Sequence, residues 1–222
     1  MQRNIIITGA SGNLGTAITE TFSKEGFTVF GIDHQSRPLF QRSENYWEAG
    51  VDLQDAETTQ YLMDDILGRG NEIDVLVCTA GGFMMGNLEE TETGEFLSQF
   101  NLNFFTAYNI VKPVLFQMKK QGGGKIFLVG SRPGLDITAG SNSVAYAFSK
   151  SLIFRLAELL NHTYNTDGIR TWVIVPGTID THQNREAMPG NDFSEWVSPS
   201  TIAETVLAYC KGNAKEGMLI SF

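Results

Sequence analysis

The stretch Thr8-Gly9-Ala10-Ser11-Gly12-Asn13-Leu14-Gly15 constrains this chain more than any other part of it. It follows Ile5-Ile6-Ile7, an apolar run of strand length, and opens residues 14–25, which read as a helix. Glycine at every third position between a strand and a helix has a physical reading. Gly9 permits a tight turn, Gly12 lets the backbone approach a bulky anion, and Gly15 lets the helix pack close to the sheet. The helix N-terminus, where Ser11, Asn13 and Leu14 also fall, then offers free N–H groups and a partial positive charge to a pyrophosphate. An ordinary strand-to-helix turn is the competing explanation in a chain with 23 glycines. Placement after the first strand favours the phosphate seat.

The rest of the chain repeats the strand-then-helix rhythm. Strands are predicted over 5–7, 28–32, 47–51, 74–78, 125–129, 170–175 and 218–220. Helices are predicted over 14–25, 56–67, 94–120, 143–162 and 201–209, the third kinked near Pro113. Residues 34–45 read as a polar loop. Short apolar strands alternating with helices imply an α/β fold: one Rossmann-type, doubly wound parallel sheet of about seven strands with helices on both faces. Neither a linker nor a repeat divides residues 1–222, so one domain is expected. Ligands in such sheets lie beyond the carboxyl ends of the strands, and the informative residues follow strand ends.

The formal net charge of −9 argues against nucleic acid, whose phosphates need a basic face. No apolar stretch approaches the roughly 20 residues of a membrane span, and the N-terminus lacks the pattern of a signal peptide. The two cysteines, Cys78 and Cys210, form neither a metal-ligand spacing nor a disulfide framework. The expectation is a cytoplasmic, soluble protein without a metal.

Asp33 ends the second strand, 18 residues past Gly15. A carboxylate there accepts hydrogen bonds from a ribose 2′-hydroxyl and repels a 2′-phosphate, which favours NAD(H); Arg37 nearby keeps NADP(H) open. Tyr146 and Lys150 stand at i and i+4, on one face of a helix. A free phenol has a pKa near ~10, too high for a good base at neutral pH. A neighbouring ammonium is expected to lower it, as would an oxidised nicotinamide. Ser131 ends the strand before that helix.

Taken in order, Thr8 to Gly15, Asp33, Asp52-Leu53, Ala80-Gly81, Asn101, Ser131, Tyr146 with Lys150, and Pro176-Gly177-Thr178 to Thr181 resemble the short-chain dehydrogenase/reductase family over nearly the whole chain. The resemblance implies hydride transfer between a nicotinamide and a small carbonyl, alcohol or related substrate. It implies that Asp52 and Leu53 border the adenine, that Ala80, Gly81 and Gly82 line the cofactor pocket, and that Pro176, Gly177, Thr178 and Thr181 hold the nicotinamide. Asn101 would be the family's helix-bending asparagine, which holds a water near the lysine, and Ser131 the hydroxyl that steadies the substrate carbonyl. Tyr146 would exchange the proton, and Lys150 would also bind the nicotinamide ribose.

Some features depart from the commoner pattern. Asn13 stands where most relatives carry Gly, Gly12 where they carry another residue, and Thr79 begins the turn that is usually Asn-Ala-Gly. The interval from Ser131 to Tyr146 is longer than usual. These features and Leu135-Asp136-Ile137-Thr138 are similar to the dihydropteridine reductase branch, although that branch typically lacks the serine. The family implies a homodimer or homotetramer joined along the helices near 94–120 and 143–162, and residues 182–199 suggest a small lid. A non-catalytic dinucleotide sensor is the rival reading; it has no need of Asn101, Ser131, Tyr146 and Lys150 together.

Overall fold

Every strand pairs in parallel, so each connection must cross a face of the sheet and cover it. The computed structural model describes residues 3–34, 45–214 and 216–222. The strands are β1 (Asn4–Thr8), β2 (Thr28–Asp33), β3 (Tyr46–Gly50), β4 (Val75–Cys78), β5 (Gly124–Val129), β6 (Ile169–Val175) and β7 (Leu219–Ser221). Their order across the sheet is β3-β2-β1-β4-β5-β6-β7. The order reverses between β1 and β4, which opens a crevice beyond the carboxyl ends of those two strands. This is the α/β architecture expected from the sequence.

Buried strands carry side chains to two cores in alternation. Ile5 and Ile7 face one core with Leu14, Ile18 and Phe22 of α1 (Asn13–Lys24). Ile202 and Val206 of α8 (Pro199–Cys210) join the same core. Ile6 faces the other, with Met63 of α2 (Ala56–Gly68). Ile110 and Val114 of α4 (Thr106–Gln121) and Ile153 and Ala157 of α6 (Val144–Tyr164) complete it.

The long helix predicted over 94–120 is present, running unbroken over 93–121 with a change of winding inside it. α3 (Thr93–Phe100) passes through a π turn at Asn101–Phe105 into α4. The departure from α geometry lies at that turn, while Pro113 sits inside α4 and is buried. Two short helices, α5 (Ile137–Gly140) and α7 (His182–Ala187), occupy segments whose polarity hid them from periodicity arguments. Among the described residues no helix is long and apolar enough to cross a membrane, and no cluster of side chains suits a metal ion. The loop with Arg37 lies outside the described residues.

Candidate active site

The glycine loop is built by close approach. Gly9 has φ of 62°, a left-handed conformation that L side chains rarely adopt. A Cβ on Gly15 would stand 2.1 Å from the Gly9 carbonyl oxygen, so only glycine lets α1 begin there. No side chain caps α1 at Gly12. Its first N–H groups, from Asn13, Leu14 and Gly15, are thus left by helix geometry for an outside acceptor. The Leu14 side chain is buried in the core, so its contribution to such a seat is its backbone. Thr8 and Thr79 brace the loop. Thr79 Oγ1 donates to the Thr8 carbonyl at 2.6 Å, and the Ala80 N–H donates to Thr8 Oγ1 at 3.2 Å.

A crevice of about 440 Å³ opens beside this loop, lined by Gly9, Ser11, Gly12, Asp33, Asp52, Leu53, Ala80 and Gly81. Eight residues predicted from separate parts of the chain thus share one wall. Asp33 is 8% exposed, and both of its oxygens are engaged by Ser11: the N–H donates to Oδ2 at 2.9 Å and Oγ donates to Oδ1 at 2.9 Å. A carboxylate is an acceptor-only group, the chemistry that suits donation from ribose hydroxyls. His34 Nδ1 lies 3.8 Å from Asp52 Oδ1 on the same rim.

Beyond β5, Ser131 is buried and its Oγ accepts from the Gly134 N–H at 3.3 Å. The Ser131 side chain also lies near the phenol of Tyr146 on α6. Burial pushes the Tyr146 phenol above its ordinary pKa, and Ser131 pulls the other way without reversing it. Phe83 meets the Tyr146 ring edge-on, centroids 4.9 Å apart. Lys150 is buried; its Nζ donates to the Val129 carbonyl at 2.8 Å and lies 5.9 Å from the Tyr146 ring centre. Burial lowers the ammonium's pKa to about 8, opposed by Cys78 nearby. The expectation that Lys150 leaves Tyr146 unusually acidic is therefore corrected: burial of the phenol is the dominant influence and raises its pKa, with Ser131 opposing it, and the phenol stays protonated at neutral pH.

The asparagine reading also needs correction. Asn101 is exposed, on the same helical stripe as the exposed Leu97 and Phe105. Asn103, in the middle of the π turn, is 1% exposed and turned inward. Its Oδ1 accepts from the Gly82 N–H at 3.0 Å, and its Nδ2 donates to the Gly82 carbonyl at 3.0 Å and to Gln99 Oε1 at 3.0 Å. Ser149 Oγ lies 3.2 Å from the same nitrogen. Asn103 therefore fastens the Ala80-Gly81-Gly82 turn to the helix that carries Tyr146 and Lys150. Burial of Gln99, Asn103, Thr106 and Ile110 follows a helical period, the signal that could have separated Asn103 from Asn101.

Pro176, Gly177 and Thr178 follow β6, and Thr181 caps α7 with its Oγ1 accepting from the Asn184 N–H at 3.1 Å. From here α7 reaches back to the glycine loop: Asn13 Nδ2 donates to Gln183 Oε1 at 2.8 Å.

These groups match a known plan. The chain belongs to the short chain dehydrogenase family, which matches residues 3–192. Dihydropteridine reductase of Dictyostelium discoideum is 26% identical over 234 residues, covering 100% of this chain and 95% of that protein. An oxidoreductase of the short chain dehydrogenase/reductase family from Burkholderia thailandensis superimposes with a TM-score of 0.85 at 25% identity, covering 100% and 91% of the two chains. The structure of ElxO with NADP bound gives a TM-score of 0.88 at 21% identity over 100% and 97%, a likeness of fold. The chain is an oxidoreductase of this family, whose members bind NAD(P)(H) and act on small molecules. The open start of α1 and the close-packed glycine cradle fit such a dinucleotide.

Proposed function

We propose that this protein is an NAD(H)-dependent oxidoreductase that interconverts a small carbonyl compound and its alcohol, or a related pair. The observation that carries the reading is the meeting of Tyr146 and Lys150, with Ser131 beside them, next to the Gly81 turn of the crevice that also holds Asp33. Asp33 favours the ribose diol of NAD(H) over the 2′-phosphate of NADP(H). Glycines 9, 12 and 15 with Ser11 and the backbone N–H groups of Asn13 and Leu14 would hold the pyrophosphate, and Asp52 and Leu53 would border the adenine. Ala80, Gly81 and Gly82, then Pro176, Gly177, Thr178 and Thr181, would hold the nicotinamide half.

When bound, the nicotinamide supplies or accepts a hydride. Tyr146, kept protonated by burial, donates its proton to the substrate oxygen in the direction of reduction. Ser131 gives that oxygen a second donor. Lys150 sits where it can hold the ribose and replenish the proton. Asn103, in place of Asn101, keeps the Gly82 turn in register with both. Residues 182–199 act as a small lid within a single domain of 222 residues. Phe105 and Phe116 on the α4 side, and Phe148 and Leu159 on α6, are exposed, which suits a dimer or tetramer. The free thiols Cys78 and Cys210 suit a reducing, cytoplasmic setting.

The test is NADH and NADPH binding together with NADH oxidation against ketones, aldehydes and quinonoid dihydropterins. Tight NADH binding with turnover of at least one class is expected. Tight binding with no turnover on any would favour the sensor reading, and no binding would sink both.

A further inference from the structure

We propose that Asn13 and Gln183 form a latch across the mouth of the cofactor crevice and set how fast NAD(H) is admitted and released. The inference rests on the reading of this crevice as an NAD(H) site. Asn13 is the first residue of α1, next to Gly12 of the crevice wall, and Gln183 stands in the first turn of α7, just after the residues proposed to hold the nicotinamide. Their side chains meet at 2.8 Å although 170 residues separate them. Gly, the commoner residue at position 13 in relatives, could not make this contact.

Gln183 is held out toward Asn13 by a braced segment. The Asp180 N–H donates to the Val197 carbonyl at 2.8 Å, and Asn184 Nδ2 donates to the Ile179 carbonyl at 2.8 Å. Arg185 binds both oxygens of Asp180, at 2.6 and 2.7 Å, and lies over the Phe193 ring at 4.9 Å. Phe193 in turn packs on Trp196, centroids 4.7 Å apart. The two amides are exposed, so their bond can break and re-form readily.

The kinetic consequence is specific. The latch uses only protein atoms, so it forms alike with or without the dinucleotide and leaves the binding equilibrium nearly unchanged. Passage through the mouth requires it to open. Removing it speeds association and release together.

Stopped-flow NADH fluorescence on Gln183→Ala, Asn13→Ala and the double variant tests this. Gln183→Ala should raise both rate constants by roughly 2- to 10-fold, the range of one neutral hydrogen bond, with Kd within about twofold of wild type. Adding Asn13→Ala to Gln183→Ala should raise release no further, because the partner is already gone. Unchanged rates, independent effects that multiply, or a weaker Kd with unaltered association would each overturn the latch. Gln183→Ala lies on an exposed turn and carries the test alone should Asn13→Ala not fold. A wild type that binds neither NADH nor NADPH would remove the NAD(H) reading and the latch with it. A wild type that binds NADH, with a silent Gln183→Ala, would remove the latch only.

Discussion

Replacing Asp33 by Ala should turn the cofactor preference toward NADPH. In the native crevice the carboxylate is buried and held at both oxygens by Ser11. A 2′-phosphate carries about two charges at neutral pH. At about 5 Å and an effective dielectric of about 20, a unit charge repels it by about 7 kcal/mol before screening. Salt and small rearrangements reduce this to about 2–3 kcal/mol, roughly 30- to 150-fold in NADPH affinity. The same substitution removes charge-assisted bonds to the ribose hydroxyls, so NADH weakens by about 1.5–3 kcal/mol. It also releases the Ser11 N–H and O–H, two donors that a phosphate can use. The ratio of the two dissociation constants should therefore swing by at least roughly 100-fold. Fluorescence titration with each cofactor at fixed ionic strength measures the ratio, and a urea midpoint confirms that the variant is folded. A wild type that binds NADPH as tightly as NADH, or a ratio unmoved in Asp33→Ala, would refute the electrostatic reasoning.

Further outcomes follow from the burial of polar groups. Lys150 has its pKa lowered from 10.5 to about 8 by burial, so the unfolded chain binds the extra proton between those values and native stability gains as pH rises through that window. The whole displacement is worth about 3 kcal/mol at neutral pH. Lys150→Met should accordingly have its largest stability advantage over wild type near pH 7 and lose it by pH 10; a difference in Tm that does not narrow would show that the ammonium is not desolvated. Asn103→Ala strands the Gly82 N–H and carbonyl and should cost about 2–4 kcal/mol by urea unfolding, whereas Asn101→Ala should fall within about 0.5 kcal/mol of wild type. Equal costs at the two positions would return the inward role to Asn101.

What the sequence made legible is what depends on neighbours along the chain. The seat at Gly9 to Gly15 needs only a strand, three glycines and a helix start, all within residues 5–15, and the structure shows each. The five inner strands read clearly because parallel strands buried on both faces are short apolar runs, while the edge strands β3 and β7 are partly exposed. Asn101 and Asn103 differ only in which side of a helix they occupy, and a π turn between α3 and α4 shifts that phase. Pro113 was visible in the sequence, whereas nothing in it marked this change of winding. The sign of the Tyr146 shift was hidden for another reason. The charge on Lys150 is written in the sequence, while the burial that raises the Tyr146 pKa comes from tertiary packing, in which Phe83, 63 positions away, meets the ring. The contact of Asn13 with Gln183 is likewise a product of topology, which brings the start of α1 and the segment after β6 to the same crevice.

The most direct measurement is steady-state NADH oxidation by Tyr146→Phe beside wild type, on whichever carbonyl substrate wild type turns over. Loss of the phenolic proton donor should lower kcat by at least roughly 100-fold while NADH still binds. Turnover undiminished in the phenylalanine variant would contradict the assignment of Tyr146 as the proton donor.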